Sequence, residues 1–341
     1  MLLLEQPRPA DRVDVSVVVP VYNEQENLPE LLERLTKVLS GLDRTYEMVF
    51  VDDGSSDGSV AWLRERARQD KHLGVVEFQA NFGQHAAVFA GLEAAAGDAV
   101  VTLDADLQNP PEEIPKLLAA LDEGHDVAAG WRSNRQDPLL RRVASYLVNR
   151  LMSRATGVNL HDYGCMLRAY RREVVDCLCA CAERSSFIPA LANVFARSVV
   201  EVPVEHAARA RGDSKYSLRK LVSLNYDLLT GFSVLPIHWV SSMGLLMALA
   251  GFASGAFLLL RRLLMGPEAE GVFTLMAVLF VFTGLQLLAV GMVGQYIART
   301  YSEARARPRY VVRKLHGRLS SASCFPAPAN APSAEGDACP E

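Results

Sequence analysis

Two stretches without a charged side chain, Leu235–Leu260 and Val272–Ile297, restrict this chain more than any other feature. Each exceeds the ~20 apolar residues that a helix needs to cross the hydrocarbon layer of a bilayer. Gln286 and Gln295 are the only amides in the second, and the first ends at Arg261-Arg262. The short connection between them makes a two-helix transmembrane hairpin the expected arrangement; two buried helices of a soluble protein are the competing one. Charge on the flanks sets the orientation. Arg299 to Arg318 holds seven basic residues and one acid, and Arg209, Arg211, Lys215, Arg219 and Lys220 precede the first stretch. The connector has two arginines and two glutamates. Positive-inside bias then puts both termini and the preceding domain in the cytoplasm. Met1-Leu2-Leu3-Leu4 is too short for a cleavable signal.

The residues up to about Glu205 have a different character. Short β-branched runs at Val15–Val19, Tyr46–Val51, Gly74–Phe78 and Asp98–Leu103 alternate with helical patterns at Glu26–Leu39, Ser59–Arg68 and Ala86–Ala96, and with a helix starting near Pro111. A fifth strand is expected just before Arg132. Such alternation predicts an α/β fold with a mostly parallel sheet covered on both faces. Ligands bind such sheets at the carboxyl ends of the strands. The net charge of -4 argues against a general nucleic-acid binder. Cys177, Cys179 and Cys181 crowd one predicted helix, and no second CxxC or histidine pair completes a zinc site, so reduced cytoplasmic thiols are expected.

Two basic amphipathic patterns complete the map. Near 138–155, Leu140, Val143, Leu147 and Leu151 form a stripe bordered by Arg141, Arg142, Arg150 and Arg154; near 215–232, Leu218, Leu221, Leu228 and Leu229 accompany Arg219 and Lys220. Each reads as a core helix with a solvated face or as a helix in the membrane interface. The expected organisation is therefore an arm at 1–12, a catalytic domain at 13–234, spans at about 235–260 and 272–297, and a basic then disordered tail at 301–341.

The strand ends carry the chemistry. The first closes in Pro20-Val21-Tyr22-Asn23-Glu24, which offers neither GxGxxG nor a Walker loop, so a nucleotide would be recognised by polar side chains. The second closes in Val51-Asp52-Asp53-Gly54-Ser55-Ser56-Asp57. A turn and a helix cap account for Asp53-Gly54 and for Ser56 or Asp57. They do not account for Asp52, because an acid closing a hydrophobic strand is costly unless it binds something. The fourth closes in Asp104-Ala105-Asp106-Leu107-Gln108. Two carboxylates leaving a strand end two residues apart can converge on one hard cation, Mg²⁺ or Mn²⁺, shared with a diphosphate.

These motifs together resemble the family 2 glycosyltransferases of GT-A (Rossmann-like) fold. Asp162-Tyr163-Gly164-Cys165-Met166-Leu167-Arg168-Ala169-Tyr170, and Arg209, Gly212, Ser214, Lys215 and Tyr216, narrow the resemblance to polyprenyl-phosphate glycosyltransferases, from about Val15 to Tyr310. It implies inverting transfer from a UDP-sugar to undecaprenyl phosphate at the bacterial inner membrane, in lipid A modification and polymyxin resistance. A glucosyl- or mannosyltransferase of the same kind is the alternative. It also implies a homo-oligomer, with a tetramer as one form.

Residue by residue, the resemblance implies that Pro20, Tyr22, Glu24, Asp52, Asn81 and Asp104 hold the donor nucleotide. Asp106 and Gln108, with Asp104, would ligate the metal. Asp162 matches the catalytic base, together with Asp106 in the reacting centre. The acceptor phosphate is mostly dianionic at neutral pH, with a second pKa of ~6, so Asp162 is either a base or a positioning carboxylate. Arg132, Arg141, Ser145, Arg209 and Lys215 are the candidates to grip the acceptor phosphate; each arginine alone also has an ordinary surface reading. His85 is either a donor ligand or a plain helix-start residue. A processive polysaccharide synthase is disfavoured because Trp62, Trp131 and Trp239 do not form its Gln-x-x-Arg-Trp motif. A non-catalytic membrane scaffold would have no use for the collected acids and arginines.

Overall fold

The computed structural model describes residues 13–132, 158, 160–181, 187–206, 235–265, 272–305 and 307–321. The arm at 1–12, both amphipathic patterns, and Arg141, Ser145, Arg209 and Lys215 lie outside the described residues. The chain divides into two compact units, one built from the N-terminal domain and the residues after Pro308, the other from the long apolar helices.

The first unit is an eight-stranded mixed sheet with helices on both faces. Its strands are β1 (Val13–Val21), β2 (Tyr46–Asp52), β3 (Leu73–Phe78), β4 (Gly97–Thr102), β5 (Val127–Arg132), β6 (Arg168–Arg171), β7 (Val199–Val204) and β8 (Val312–Gly317). They lie in the order β7-β5-β6-β4-β1-β2-β3-β8. Strands β4, β1, β2 and β3 run parallel, as do β5 and β7, whereas β6 and β8 are antiparallel to their neighbours. The α/β, mostly parallel architecture expected from the sequence is therefore present. Strand β1 is buried on both faces, which is why it reads as a continuous valine run rather than an alternating one.

Helices α1 (Leu28–Ser40), α2 (Ser59–Gln69), α3 (Gln84–Ala94), α4 (Ile114–Asp122), α5 (Arg172–Ala180) and α6 (Ile188–Phe195) cover the sheet. On α1, Leu28, Leu31, Leu35 and Leu39 recur at helical spacing and are all buried. The small residues of α3 have a different cause. A Cβ on Gly91 would stand 2.2 Å from Val18 Cγ1, so this helix lies almost on the backbone of β1. That close fit holds the N-terminus of α3 at the carboxyl edge of the sheet.

The second unit comprises α7 (Leu235–Met265) and α8 (Val272–Ala304), each extending beyond its uncharged stretch. Among the described residues one window, Val281–Ala298 with mean hydropathy 1.5 and no buried side chain, is long and apolar enough to cross a membrane. The apolar stretch of α7, Trp239–Ala253, is shorter. The two helices touch where Gly251 faces Phe282, whose ring would be 3.9 Å from an added Cβ.

Within the basic tail, residues 312–317 form an edge strand, β8, paired with β3, which the sequence did not mark. Their charges have partners on the sheet. Buried Glu77 of β3 takes Arg64, His316 and Arg313, and buried Glu47 of β2 takes Arg318 at 2.8 Å. A basic run that satisfies acids of a sheet has the composition of a juxtamembrane flank, and composition alone does not separate the two.

Candidate active site at the carboxyl edge of the sheet

Four successive strand ends are tied into one surface. Asn23, in the left-handed region at φ 55°, accepts from the backbone N–H groups of Ser56 (2.8 Å) and Asp57 (3.3 Å), joining the loops after β1 and β2. Asp53 joins the loops after β2 and β3, accepting from Phe82 N (2.6 Å) and Gly83 N (2.9 Å). Gly54, at φ +70°, is needed there because a Cβ would meet the Ala80 backbone at 2.6 Å. Gln84 joins the loops after β3 and β4: its Nε2 donates to Asp104 Oδ1 at 2.7 Å.

Asp104 is the electrostatic centre of this surface. Burial, and then the neighbouring Asp106 carboxylate, push its carboxyl up to about 7, with Glu24 adding in the same direction. Arg132 and the Gln84 hydrogen bond oppose them. Pro20, Glu24, Asp104, Asp106 and Gln108 are half-buried, and Tyr22 is 43% exposed on the loop after β1. Leu107 sits at φ 60°, a costly conformation for a leucine, between Asp106 and Gln108. That kink lets Gln108 N donate to Asp106 Oδ1 at 3.1 Å.

Asp52 closes β2 as a buried carboxylate. Ser55 N donates to its Oδ2 at 3.2 Å, while Oδ1 is buried without a partner. Burial raises its pKa above the ordinary aspartate value, against the hydrogen bonds from Ser55. One buried acceptor of Asp52 is therefore left unused by the protein's own donors.

On the far side of Asp104 stands an ion pair. Arg132, the last residue of β5, donates from Nε to Asp162 Oδ2 (2.5 Å) and from Nη2 to Asp162 Oδ1 (2.9 Å). Both side chains are largely buried, at 15% and 2% exposure. Gly164 N also donates to Asp162 Oδ1 at 3.1 Å. The loop carrying Asp162 is held from beneath by fully buried Arg168, which donates to the carbonyls of Cys165, Asp162 and Tyr163. From the side, Glu201 of β7 accepts from His161 N (2.6 Å) and Asp162 N (3.3 Å).

Glu24, Asp104, Asp106, Arg132 and Asp162, named from the sequence, thus lie in one electrostatic neighbourhood at the end of β4 and β5. Asn81 has a more local role: its amide donates to Asp53 O at 3.1 Å. His85 is enclosed against Phe187, and burial lowers its pKa, which keeps it neutral. Asp53, Gln84, Arg168 and Glu201 were not singled out for these roles. Gln84 lies beside Asn81 in the segment that the sequence marked, whereas Glu201 carries no local signal at all.

The pattern of acids at successive strand ends, facing an arginine, is that of an enzyme acting on a nucleoside-diphosphate donor. The chain belongs to glycosyl transferase family 2, whose family model matches residues 16–179. It is 52% identical over 306 residues to the undecaprenyl-phosphate 4-deoxy-4-formamido-L-arabinose transferase of Proteus mirabilis, covering 89% of this chain and 94% of that one. The protein of the same name from Klebsiella pneumoniae is 52% identical over 312 residues, covering 91% and 95%. Among solved structures, glucosyl-3-phosphoglycerate synthase from Mycobacterium tuberculosis with Mn²⁺, UDP and glucosyl-3-phosphoglycerate is similar at 19% identity and TM-score 0.46, over 64% of this chain and 78% of that one.

Proposed function

We propose that this protein transfers 4-deoxy-4-formamido-L-arabinose from UDP to undecaprenyl phosphate, a step of lipid A modification, by a single displacement with inversion. Identity of 52% along nine-tenths of the chain to transferases of that name supports the donor and acceptor. The observation that carries the chemistry is the Asp104–Asp106 pair, crowded enough to hold a proton near neutrality, beside the Arg132–Asp162 pair.

The donor nucleotide lies across the ends of β1, β2 and β4, with Asp52 Oδ1 taking a donor from the base and Tyr22 and Pro20 flanking it. A divalent cation, Mg²⁺ or Mn²⁺, fits the mutually repelling Asp104 and Asp106, because it would relieve their repulsion. Among the described residues no three acids, histidines or cysteines form a metal cage. The pair, with Gln108, therefore needs diphosphate oxygens to complete a shell. When bound, the cation neutralises charge on the departing diphosphate.

An oxygen of the lipid phosphate attacks the anomeric carbon; the bond from that carbon to the β-phosphate oxygen breaks, and UDP leaves with the electron pair. The attacking monoester is mostly dianionic at neutral pH, its second pKa being ~6, so little proton transfer is required. Asp162 has both oxygens engaged by Arg132 and Gly164. It acts by aiming the Arg132 guanidinium at the anionic reactants rather than as a free base. Arg141, Ser145, Arg209 and Lys215 complete the grip on the acceptor.

The hairpin reading is supported by topology. Strands β1 to β7 precede the long helices and β8 follows them, yet all eight share one sheet. A sheet shared by residues before and after the helices supports an even number of crossings. The basic flanks make the side of the sheet cytoplasmic. Purified protein given undecaprenyl phosphate and a panel of UDP-sugars, with Mg²⁺, Mn²⁺ or chelator, tests the whole reading. Formation of the lipid-linked sugar only from the formamido-arabinose donor, and only with metal, is the expected result. Turnover of UDP-glucose alone assigns the glucosyltransferase alternative.

A further inference from the structure

The segment that follows α8 reaches the donor side of the sheet through aromatic side chains. Tyr310 stacks on Phe78, the last residue of β3, with ring centroids 4.9 Å apart and planes 11° from parallel. Phe78 in turn meets Phe82 edge-on at 5.7 Å. Phe82 is the residue whose N–H donates to Asp53, two positions before Gln84 takes Asp104. The backbone makes the same connection: Gln79 N donates to Val311 O at 3.0 Å. The loop from β3 to α3 is thus anchored at one end by residues 310–311 and at the other by Asp53.

Tyr310 is itself held firmly. Its hydroxyl donates to Glu93 of α3, and burial together with that acid pushes its pKa well up, so it remains a donor. Arg309 lies over the Phe89 ring at 4.3 Å and donates to the Cys181 carbonyl. Phe82, by contrast, is 38% exposed, and among the described residues its one ring partner is Phe78. Its place is set by Phe78 and by Asp53. Phe78 makes both ring contacts, edge-on with Phe82 and stacked with Tyr310.

We infer that Tyr310 is a positioning residue for the nucleotide-sugar donor: through Phe78 and Phe82 it fixes the 79–84 loop and hence the Gln84 amide on Asp104. This rests on the placement of the donor at the ends of β1 to β4. The contacts of Tyr310 run to Phe78 and to Glu93 of α3, on the donor side of the sheet. An aromatic pair contributes modestly, so loss of the ring should raise the donor KM about three- to tenfold.

The test uses the full-length protein in lipid nanodiscs, with KM measured separately for UDP-sugar and undecaprenyl phosphate and UDP affinity measured by calorimetry. Tyr310→Ala should raise the donor KM and weaken UDP, leave the acceptor KM unchanged, and be rescued by Tyr310→Phe, which keeps the ring. Phe82→Ala, at a half-exposed site, should reproduce the donor effect even if Tyr310→Ala folds poorly. An unchanged donor KM in Phe82→Ala, or equal rises in both KM values in Tyr310→Ala, overturns the inference. Asp104→Asn serves as the reference. If it too leaves UDP binding intact, the donor-site placement has failed; if it abolishes binding while Phe82→Ala and Tyr310→Ala do not change it, only the positioning role has failed.

Discussion

Arg132 and Asp162 form a two-pronged ion pair at 2.5 and 2.9 Å, so the acid matched to the base and an arginine matched to the acceptor phosphate are one functional group. Removing one partner from a buried pair costs about 3–5 kcal/mol, and the survivor would no longer be aimed. Asp162→Ala and Arg132→Ala should each lower kcat/KM by about a hundredfold or more. The double variant should be little worse than either single one, because the two act as a unit. Effects that multiply in the double-mutant cycle would show Asp162 working independently of Arg132, as a base must.

Metal binding should depend on pH through Asp104. Its carboxyl is pushed up to about 7, so the metal-free site holds a proton below that pH and loses it above. Because the folded protein binds this proton more tightly than the unfolded chain does, the site destabilises the fold increasingly as pH rises from the ordinary aspartate range to about 7. A cation has to displace the proton. Mn²⁺ affinity, measured by calorimetry in the presence of UDP, should therefore rise between pH 6 and 8 with release of a proton, and Asp104→Asn should flatten that rise.

Asp52 should trade stability for binding. Its partnerless Oδ1 and raised pKa mean that the ionised side chain is a cost to the folded state at neutral pH. Asp52→Asn should weaken UDP binding by about tenfold or more, while leaving the thermal midpoint of the ligand-free protein unchanged or higher. The stability gain should grow as pH rises above the ordinary aspartate range and vanish below it. A lowered midpoint at neutral pH would mean that Asp52 is structural.

Glu77 should control the attachment of β8. It is buried, receives Arg64 at 2.6 Å and His316 at 3.0 Å, and its pKa is lowered by those partners despite burial. Its contribution is therefore present above the ordinary glutamate range and lost as pH falls through the depressed value. Glu77→Gln should destabilise the domain by about 1–3 kcal/mol and speed amide exchange across 312–317 at neutral pH. Acidification should produce the same loss of protection, measured against the intrinsic rate at each pH, in the unaltered protein and no further loss in the variant.

Much of this arrangement was legible in the sequence, for identifiable reasons. The carboxyl-terminal halves of β1, β2 and β4 are buried and mostly apolar, so Asp52, Asp104 and Asp106 stand out where those runs stop. What stayed hidden has partners far along the chain. Asp53 looked like a turn residue because its acceptor role is directed at amides 29 and 30 positions away. Glu201 is 39 residues from Asp162 and lies on a strand with no motif. Strand β8 was hidden by its own charges: Arg313, His316 and Arg318 suggest a solvated flank until Glu77 and Glu47 are seen beneath them. Part of the basic excess used to orient the chain is thus committed to the sheet.

The late position of β8 in the chain orders the birth of this molecule. A ribosome must finish both long helices before it releases the strand that closes the β3 edge, so the sheet is completed only after them. Until then β3 has a bare row of backbone groups and Glu77 lacks Arg313 and His316. A nascent chain stalled before Val312 would carry nearly the whole donor site but not the Tyr310–Phe78 stack that anchors it. Synthesis thereby completes the sheet, and the edge that Tyr310 packs against, only once both apolar helices have been made.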